Sequence, residues 1–399
     1  MYSYEELIDY FEEEDVSFIR LAFCDIRGNL KNLAIMRSEL ERAVQSGISF
    51  DASAIEGFGD ESKSDLFLIP DPTTMTILPW RSFEGRVVRM FCDIYDSEGN
   101  RFEQDSRQIL KNAVKKATEK GITCNIGAEF EFYLFKTDDD GKPTITPIDS
   151  AGYFDVAPED KGENIRREIC CTLSEMGIQP ECSHHEEGPG QQEIDFRFAD
   201  ALKSADNAIT FKNVVKTVAM ANGAHADFSP KPLQNKSGNG MHINISIDSA
   251  DGADYQDMFM AGIMHHIKGI TAFLNPTEES YQRLGGRKAP KYISWSHENR
   301  SQLVRIPASK NGKRFELRSA DPTANPYIAF ALLIYAGLDG IEKKMTLPEP
   351  TDVNLYSSPN DIINTLDCLP SNLSEAKAYA KESEIVRMAL PQQIIDSLN

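Results

Sequence analysis

The stretch Gly127-Ala-Glu-Phe-Glu-Phe-Tyr-Leu-Phe135 sets Glu129 and Glu131 one large apolar residue apart. Side chains alternate across a strand, so both carboxylates leave one face while Phe130, Phe132 and Leu134 leave the other. Two acids side by side repel, and the arrangement is reasonable where a cation sits over that face or water covers it. Three later stretches repeat the pattern. In His184-His-Glu-Glu-Gly-Pro-Gly-Gln-Gln-Glu-Ile-Asp-Phe-Arg-Phe198, the Gly188-Pro189-Gly190 turn folds one strand back on the next and brings Glu186 near Glu193. Beyond it, Glu193, Asp195 and Arg197 share a face opposite Ile194, Phe196 and Phe198. In Met241-His-Ile-Asn-Ile-Ser-Ile247, His242, Asn244 and Ser246 lie opposite isoleucines, and in Arg314-Phe-Glu-Leu-Arg318, Arg314, Glu316 and Arg318 lie opposite Phe315 and Leu317. The simplest assembly is a curved antiparallel sheet packed on helices by its apolar side, its other side lining a polar cavity.

Any one such segment taken alone reads more readily as a half-solvated strand with ordinary surface charges. Four together do not, because surface strands seldom set runs of aromatic and isoleucine side chains against acids. Oxygen-rich donor sets suit hard dications such as magnesium or manganese, and a histidine among them tilts the balance toward manganese. The interleaved arginines suit a polyanion, since guanidinium grips phosphate and carboxylate with two prongs. Metal and arginine around one cavity read as phosphoryl transfer.

Working outward, 399 residues at 41% hydrophobic content bury a large core and divide into two domains, with a boundary near 102. The N-terminal part offers a short acidic helix over residues 1–15. It then offers the strand Phe18–Ile26 and further apolar runs at 66–69, 76–78 and 87–94, a small mixed sheet. The fold class expected is therefore α+β: a small β-grasp-like N-terminal domain (1–102) and a catalytic domain (103–399). Net charge is −20, which repels phosphodiester backbones and argues against nucleic-acid binding. No apolar run is long enough to span a bilayer, and Met1-Tyr-Ser-Tyr-Glu-Glu lacks the basic-then-apolar order expected of a signal peptide, so no membrane partner is expected. Seven scattered cysteines read as reduced thiols of a cytoplasmic protein. The pair His265-His266 reads as a structural feature of a helix over 258–274. The capped run Asn325-Pro326 to Gly337 reads as a buried helix.

In order, these segments resemble the signature blocks of the type I glutamine synthetases. The likeness extends to Ser49-Phe-Asp-Ala-Ser-Ala-Ile-Glu-Gly57, Ser64-Asp-Leu-Phe-Leu-Ile-Pro-Asp-Pro72, Pro230-Lys-Pro232 with Ser237-Gly-Asn-Gly-Met-His242, Asn275-Pro-Thr277, Asn299-Arg-Ser301 through Pro307, and Asp321-Pro-Thr-Ala-Asn-Pro-Tyr327. The resemblance implies ATP-dependent ligation of ammonia to the γ-carboxylate of glutamate through γ-glutamyl phosphate. It also implies two or more Mg2+ or Mn2+ ions per site, with ATP as co-substrate. Glu131, Glu186 and Glu193 would hold the ion nearer glutamate, and Glu129, His242 and Glu316 the ion nearer the nucleotide. Arg283, Arg300, Arg318, Glu131 and Gly238 would surround glutamate, Arg305 and Arg314 the nucleotide phosphates, and Phe228 the adenine. Asp51, Glu186 and Arg300 would be catalytic. Asp51 would act in the neighbouring subunit's site, helping to bind and deprotonate ammonium, which requires a homo-oligomeric ring.

Four features depart from the family pattern. The flap, roughly Arg-Leu-Val-Pro-Gly-Tyr-Glu-Ala-Pro in the family, reads Arg283-Leu-Gly-Gly-Arg-Lys-Ala-Pro290, one residue shorter, with Lys288 where a glutamate is expected. A lysine repels ammonium, yet Lys288→Glu is expected to restore little because the flap stays short. Ser237 and Asn239 exchange the family's asparagine and serine, and Asp60 stands for an arginine tied to feedback control. The family's Trp- and Tyr-bearing tail has no counterpart after Leu390–Asn399, so a hexameric ring, or weakly stacked rings, is expected. The altered amine side keeps a glutamate–organic amine ligase open as an alternative, and a regulatory ring that does not turn over as a third.

Overall fold

A computed structural model describes residues 4–80, 85–309 and 313–398. Of the expected N-terminal helix, residues 1–3 lie outside this range, and the rest forms Tyr4–Glu13. The N-terminal unit is a six-stranded mixed sheet. Val16–Cys24 runs antiparallel to Leu30–Met36 and parallel to Arg86–Tyr95, which also pairs with Asp65–Pro70 and Thr76–Ile77, and Ile48–Asp51 forms an edge on Asp65–Pro70.

The second unit is built on one long strand, Ile122–Thr137, the centre of a ten-stranded sheet. Met241–Ser249 pairs antiparallel on one side and Gln191–Phe196 on the other, continued by Phe315–Leu317 and Pro180–His185. The expectation of an antiparallel sheet holds except at one edge, where Trp295–His297 and Val304–Ile306 run parallel. Alternation does what the sequence asks of it. Phe130 and Phe132 are fully buried and pack with Phe211 of the helix Ala201–Ala221, Phe130 at 5.1 Å between ring centroids. Each buried ring is worth about 2–3 kcal/mol relative to exposure.

The apolar helix begins at Pro326 with Asn325 capping Tyr327 N–H, as expected, but runs to Glu342 instead of stopping at Gly337. Gly337 is there for space: a Cβ on it would lie 2.3 Å from the Phe259 ring of the helix Gln256–Leu274. One turn on, a Cβ on Gly340 would meet Gly262 Cα at 2.7 Å, so the two helices cross backbone to backbone. His266 on that helix bonds Asp339 at 2.7 Å, a structural role. Buried Arg107 ties the two units together by pairing with Asp71 and Asp93 of the first and Asp206 of the second, at 3.0, 3.4 and 2.9 Å. Among the described residues, no helix is long and apolar enough to cross a membrane.

Candidate active site

The polar face of the central sheet stacks like charges directly opposite one another. Glu193 is the cross-strand partner of Glu131, and Asp195 of Glu129. Directly opposed acids destabilise a sheet unless something compensates. The carboxyl groups record the conflict: burial and neighbouring Glu186 push Glu131 up to about 7, burial and Glu129 push Asp195 up to about 7, and burial with Glu131 drives Glu193 well above its ordinary range. A face that resists its own ionisation in this way is what a dication would relieve.

Two histidine-containing donor groups gather on this face, and a third, Glu129, Glu193 and Asp195, shares Glu129 with one and Glu193 with the other. Glu129, His242 and Glu316 bring one ligand atom each within 4.8 Å of one another, and so do His184, Glu186 and Glu193. Register builds the first, since His242 is paired with Glu129 and Asn244 with Glu316. The turn builds the second: Gly190 adopts φ +69°, Glu186 N–H donates to the Gln191 carbonyl at 2.8 Å, and Asp149 braces the hairpin by accepting from Gly190 N–H and contacting His185 Nε2. His242 is held neutral by burial and by Arg318, leaving its imidazole free to act as a ligand. Oxygen-rich sets with one imidazole each fit hard dications.

The arginines divide by depth. Arg318 and Arg305 both clamp the fully buried Glu316 at 2.5 Å. Burial alone would raise that carboxyl, but Arg318, His242 and Arg305 outweigh it and hold it low. Arg283 is buried and donates to the carbonyls of Ser319 and Arg318, beside Gly238, where a Cβ would meet its Cγ at 2.9 Å. Arg314 is exposed and donates to Asn244, which in turn donates to Glu129. Arg300 lies exposed at the rim, close enough to Tyr153 for its charge to oppose the rise that burial imposes on that phenol.

Several positions differ from the sequence reading. Glu131 lies opposite Glu193 and beside Glu186, and accepts from Gly240 N–H at 2.6 Å, while His184, which the sequence reading did not include, joins Glu186 and Glu193 in one three-donor group. Phe228 is on the wrong side for a nucleotide: it is buried among Phe130, Phe132 and Phe211, on the apolar face. Phe198, assigned to the apolar face by alternation, is instead 64% exposed. Register slips between Asp195 and Phe196, and Phe198 settles over Gly127, which shares its face with Glu129; a Cβ on Gly127 would meet Phe198 at 3.3 Å. Ser237 and Asn239 both bond: Ser237 to Glu187 at 2.8 Å, Asn239 to the Ser229 carbonyl at 2.9 Å. Asp51 ends its strand exposed and accepts from the N–H and hydroxyl of Ser53, which keep its carboxyl below the ordinary range.

Two family models match the chain, the glutamine synthetase β-grasp domain over residues 15–97 and the glutamine synthetase catalytic domain over residues 103–398. The chain belongs to the glutamine synthetase family. A glutamine synthetase of Methanosarcina mazei is 45% identical over 407 residues, covering 98% of this chain and 91% of the relative. One from Clostridium saccharobutylicum is 44% identical over 410 residues, covering 98% and 92%. Among solved structures, a GmaS/ADP complex superposes with a TM-score of 0.89 at 29% identity, covering 98% of this chain and 94% of that one. A Plasmodium falciparum glutamine synthetase shares the fold, with a TM-score of 0.87 at 24% identity. Membership in the glutamine synthetase family brings with it use of ATP and a divalent metal, and the two donor groups are consistent with that.

Proposed function

We propose that the protein joins ammonia to the γ-carboxylate of glutamate, consuming ATP and releasing glutamine, ADP and phosphate. The observation that carries the reading is the pair of three-donor groups on one sheet face, flanked by Arg305, Arg314 and Arg318. The curated relatives near 45% identity, named glutamine synthetases over almost their whole length, favour ammonia over an organic amine.

Glu129, His242 and Glu316 would hold one divalent ion, magnesium or manganese, beside the nucleotide. Glu186 and Glu193, with Glu131 and His184 adjoining, would hold another beside glutamate. Bound there, such ions neutralise phosphate oxygens and favour in-line attack. The γ-carboxylate of glutamate attacks the γ-phosphorus and ADP leaves. The acyl carbon of γ-glutamyl phosphate is then attacked by ammonia, and phosphate leaves. Arg318, Arg283 and Arg300 orient the substrate carboxylates and the transferring group, with the Gly238 backbone beside the amino group. Arg305 and Arg314 face the nucleotide phosphates, and Phe198, exposed over bare Gly127, offers the aromatic surface for the base in place of Phe228.

The domain boundary near 102 then separates two tasks. Asp51, at the edge of the first sheet, finds its bonding partner in Ser53 and not on the catalytic face. It would serve a neighbouring protomer's site in a homo-oligomeric ring, hexameric or stacked. Asp51→Asn should lower the ammonium-dependent rate about a hundredfold. Mixing that variant, denatured and refolded together, with the still less active Glu316→Gln variant should recover a substantial part of the rate, whereas a site complete within one protomer would recover none. Seven cysteines without a disulfide agree with a reducing, cytoplasmic setting.

The function is tested by ADP release and amide formation with glutamate plus ammonium, set beside methylamine, ethylamine and putrescine. Glutamine in equal amount to ADP supports the reading. Turnover restricted to an alkylamine would transfer the activity to amide synthesis from organic amines, and no ADP with any amine would leave a non-catalytic ring.

A further inference from the structure

A cavity of about 770 Å3 lies away from the acid-bearing face, and none of the metal donors or catalytic arginines described above lines it. Sites that hold small molecules enclose about 300–1,000 Å3, so the space suits one. Its walls come from both units. The first supplies the turn at residues 26–30, and the second supplies the helices Ala201–Ala221 and Leu373–Glu382 with Pro322, Thr323 and Asn325. The turn is firmly seated: Asn325 Nδ2 donates to the Ile26 carbonyl at 3.1 Å, and a Cβ on Gly28 would meet Asn325 Cα at 2.9 Å.

The charge on these walls runs against that of the chain. The protein carries a net charge of −20, yet the cavity gathers Arg27, Lys212, Lys216 and Lys377 around a single acid, Asp227. Asp227 is engaged by Ser229 N–H at 2.6 Å, and Arg27 by Glu56 at 2.8 Å. Among the described residues, none of the three lysines has a carboxylate within ion-pair distance. Lys212 Nζ donates to the Pro322 carbonyl at 3.3 Å, and Lys216 lies 5.8 Å from the centre of the Phe228 ring. Lys212 and Lys216 stand four residues apart on one helix, a spacing at which like charges destabilise unless an anion joins them. Burial pushes the Lys212 amine down to about 8, and Lys216 adds to the fall. The acids that could oppose it are occupied: Asp25 accepts from Arg27 and Asn29 N–H, and Asp321 from Thr323 N–H, while burial keeps the Cys24 thiol protonated.

We propose that this cavity is a second small-molecule site, separate from the catalytic face, and that it takes a phosphate monoester with an apolar body. Compact ammonium groups suit a phosphate dianion, whereas the two-pronged grip that favours a carboxylate needs a guanidinium, and Arg27 is already taken. Ile209, Phe273 and Ile328 give the wall for the organic part. An occupant would touch both units and stabilise their association. The site does not depend on the ligase reading.

The test is calorimetric titration of the full chain with phenyl phosphate, without added divalent ions. At pH 7 it should bind once per chain with a Kd below about 1 mM, and inorganic phosphate and phenylacetate should each bind at least about tenfold more weakly. Lys212→Met should weaken binding at least about tenfold and Lys216→Gln about threefold or more. Lys212→Arg, which keeps the charge, should stay within about threefold of the parent, and Arg314→Gln on the acid face within about twofold. Phosphate remains a dianion above pH 7, so affinity follows the charge on Lys212. It should be about tenfold weaker at pH 9 than at pH 7, and level in Lys212→Arg. If Lys212→Met does not fold, Lys216→Gln and the pH slope decide. The proposal is overturned if phenyl phosphate does not bind, if neither lysine substitution weakens it, or if Arg314→Gln weakens it as much as they do. Tighter binding of phenylacetate would overturn the choice of phosphate.

Discussion

Glu316→Gln should lower the rate of glutamine formation about a thousandfold and destabilise the fold as well. The carboxylate is fully buried, with Arg305 Nε and Arg318 Nη1 each 2.5 Å from one of its oxygens and His242 Nδ1 at 3.5 Å. It therefore holds two guanidinium groups in register and lends an oxygen to the Glu129 and His242 donor group. Glutamine keeps the volume and loses the charge, leaving buried Arg318 and partly buried Arg305 without that counter-ion. Breaking a buried pair in this way costs about 3–5 kcal/mol. Steady-state kinetics read the first effect and thermal unfolding the second. A variant within tenfold of the parent rate would remove Glu316 from the site.

Stripping divalent ions should abolish activity, by about a thousandfold or more, with recovery on adding magnesium or manganese. Manganese titration followed by electron paramagnetic resonance should find two sites per chain, and a chain that binds none would contradict the reading of the two donor groups. The same ions should reverse a pH dependence of stability. Burial and Glu186 raise the Glu131 carboxyl from 4.5 to about 7, and burial with Glu129 raises Asp195 from 3.8 to about 7. Between the ordinary and the raised values, the folded state holds more protons than the unfolded one. Stability from these groups is therefore complete below pH about 4 and is lost as pH rises through 7. Metal-free protein should accordingly melt at least about 3 °C lower at pH 8 than at pH 5.5. Manganese should raise the melting temperature more at pH 8, because it favours the ionised acids. Equal melting temperatures at the two pH values without metal would show that the opposed acids carry no strain.

The sheet was legible because its residues follow local rules. Period-two alternation at 127–135, 191–197, 241–247 and 314–318 placed four strands and their faces, and the Gly188–Gly190 turn brought Glu186 to Glu193 as the sequence implied. Where local rules stopped, the reading did too. Phe198 follows alternation only until the register slips at Asp195 and Phe196. The available signal was Gly127, a glycine in parity with Glu129 and Glu131 whose bareness marks a close approach from above. Phe228 was misassigned because burial in an aromatic cluster depends on partners distant in sequence, Phe130 and Phe211 among them. Gly337 looked like a helix stop, yet it serves a crossing with Phe259 that no window along one helix contains. His184 escaped for the same reason, since its place beside Glu186 and Glu193 arises only where the two strands of the hairpin meet.

At the centre stands a single chemical event, transfer of the γ-phosphoryl group to the side-chain carboxylate of glutamate on the acid-bearing face of the sheet. Glutamate labelled with 18O in its γ-carboxylate, incubated with ATP, ammonium and magnesium, tests it most directly. One 18O atom should appear in each inorganic phosphate formed, together with one glutamine. Phosphate carrying oxygen only from ATP and water would mean that the carboxylate never became phosphorylated.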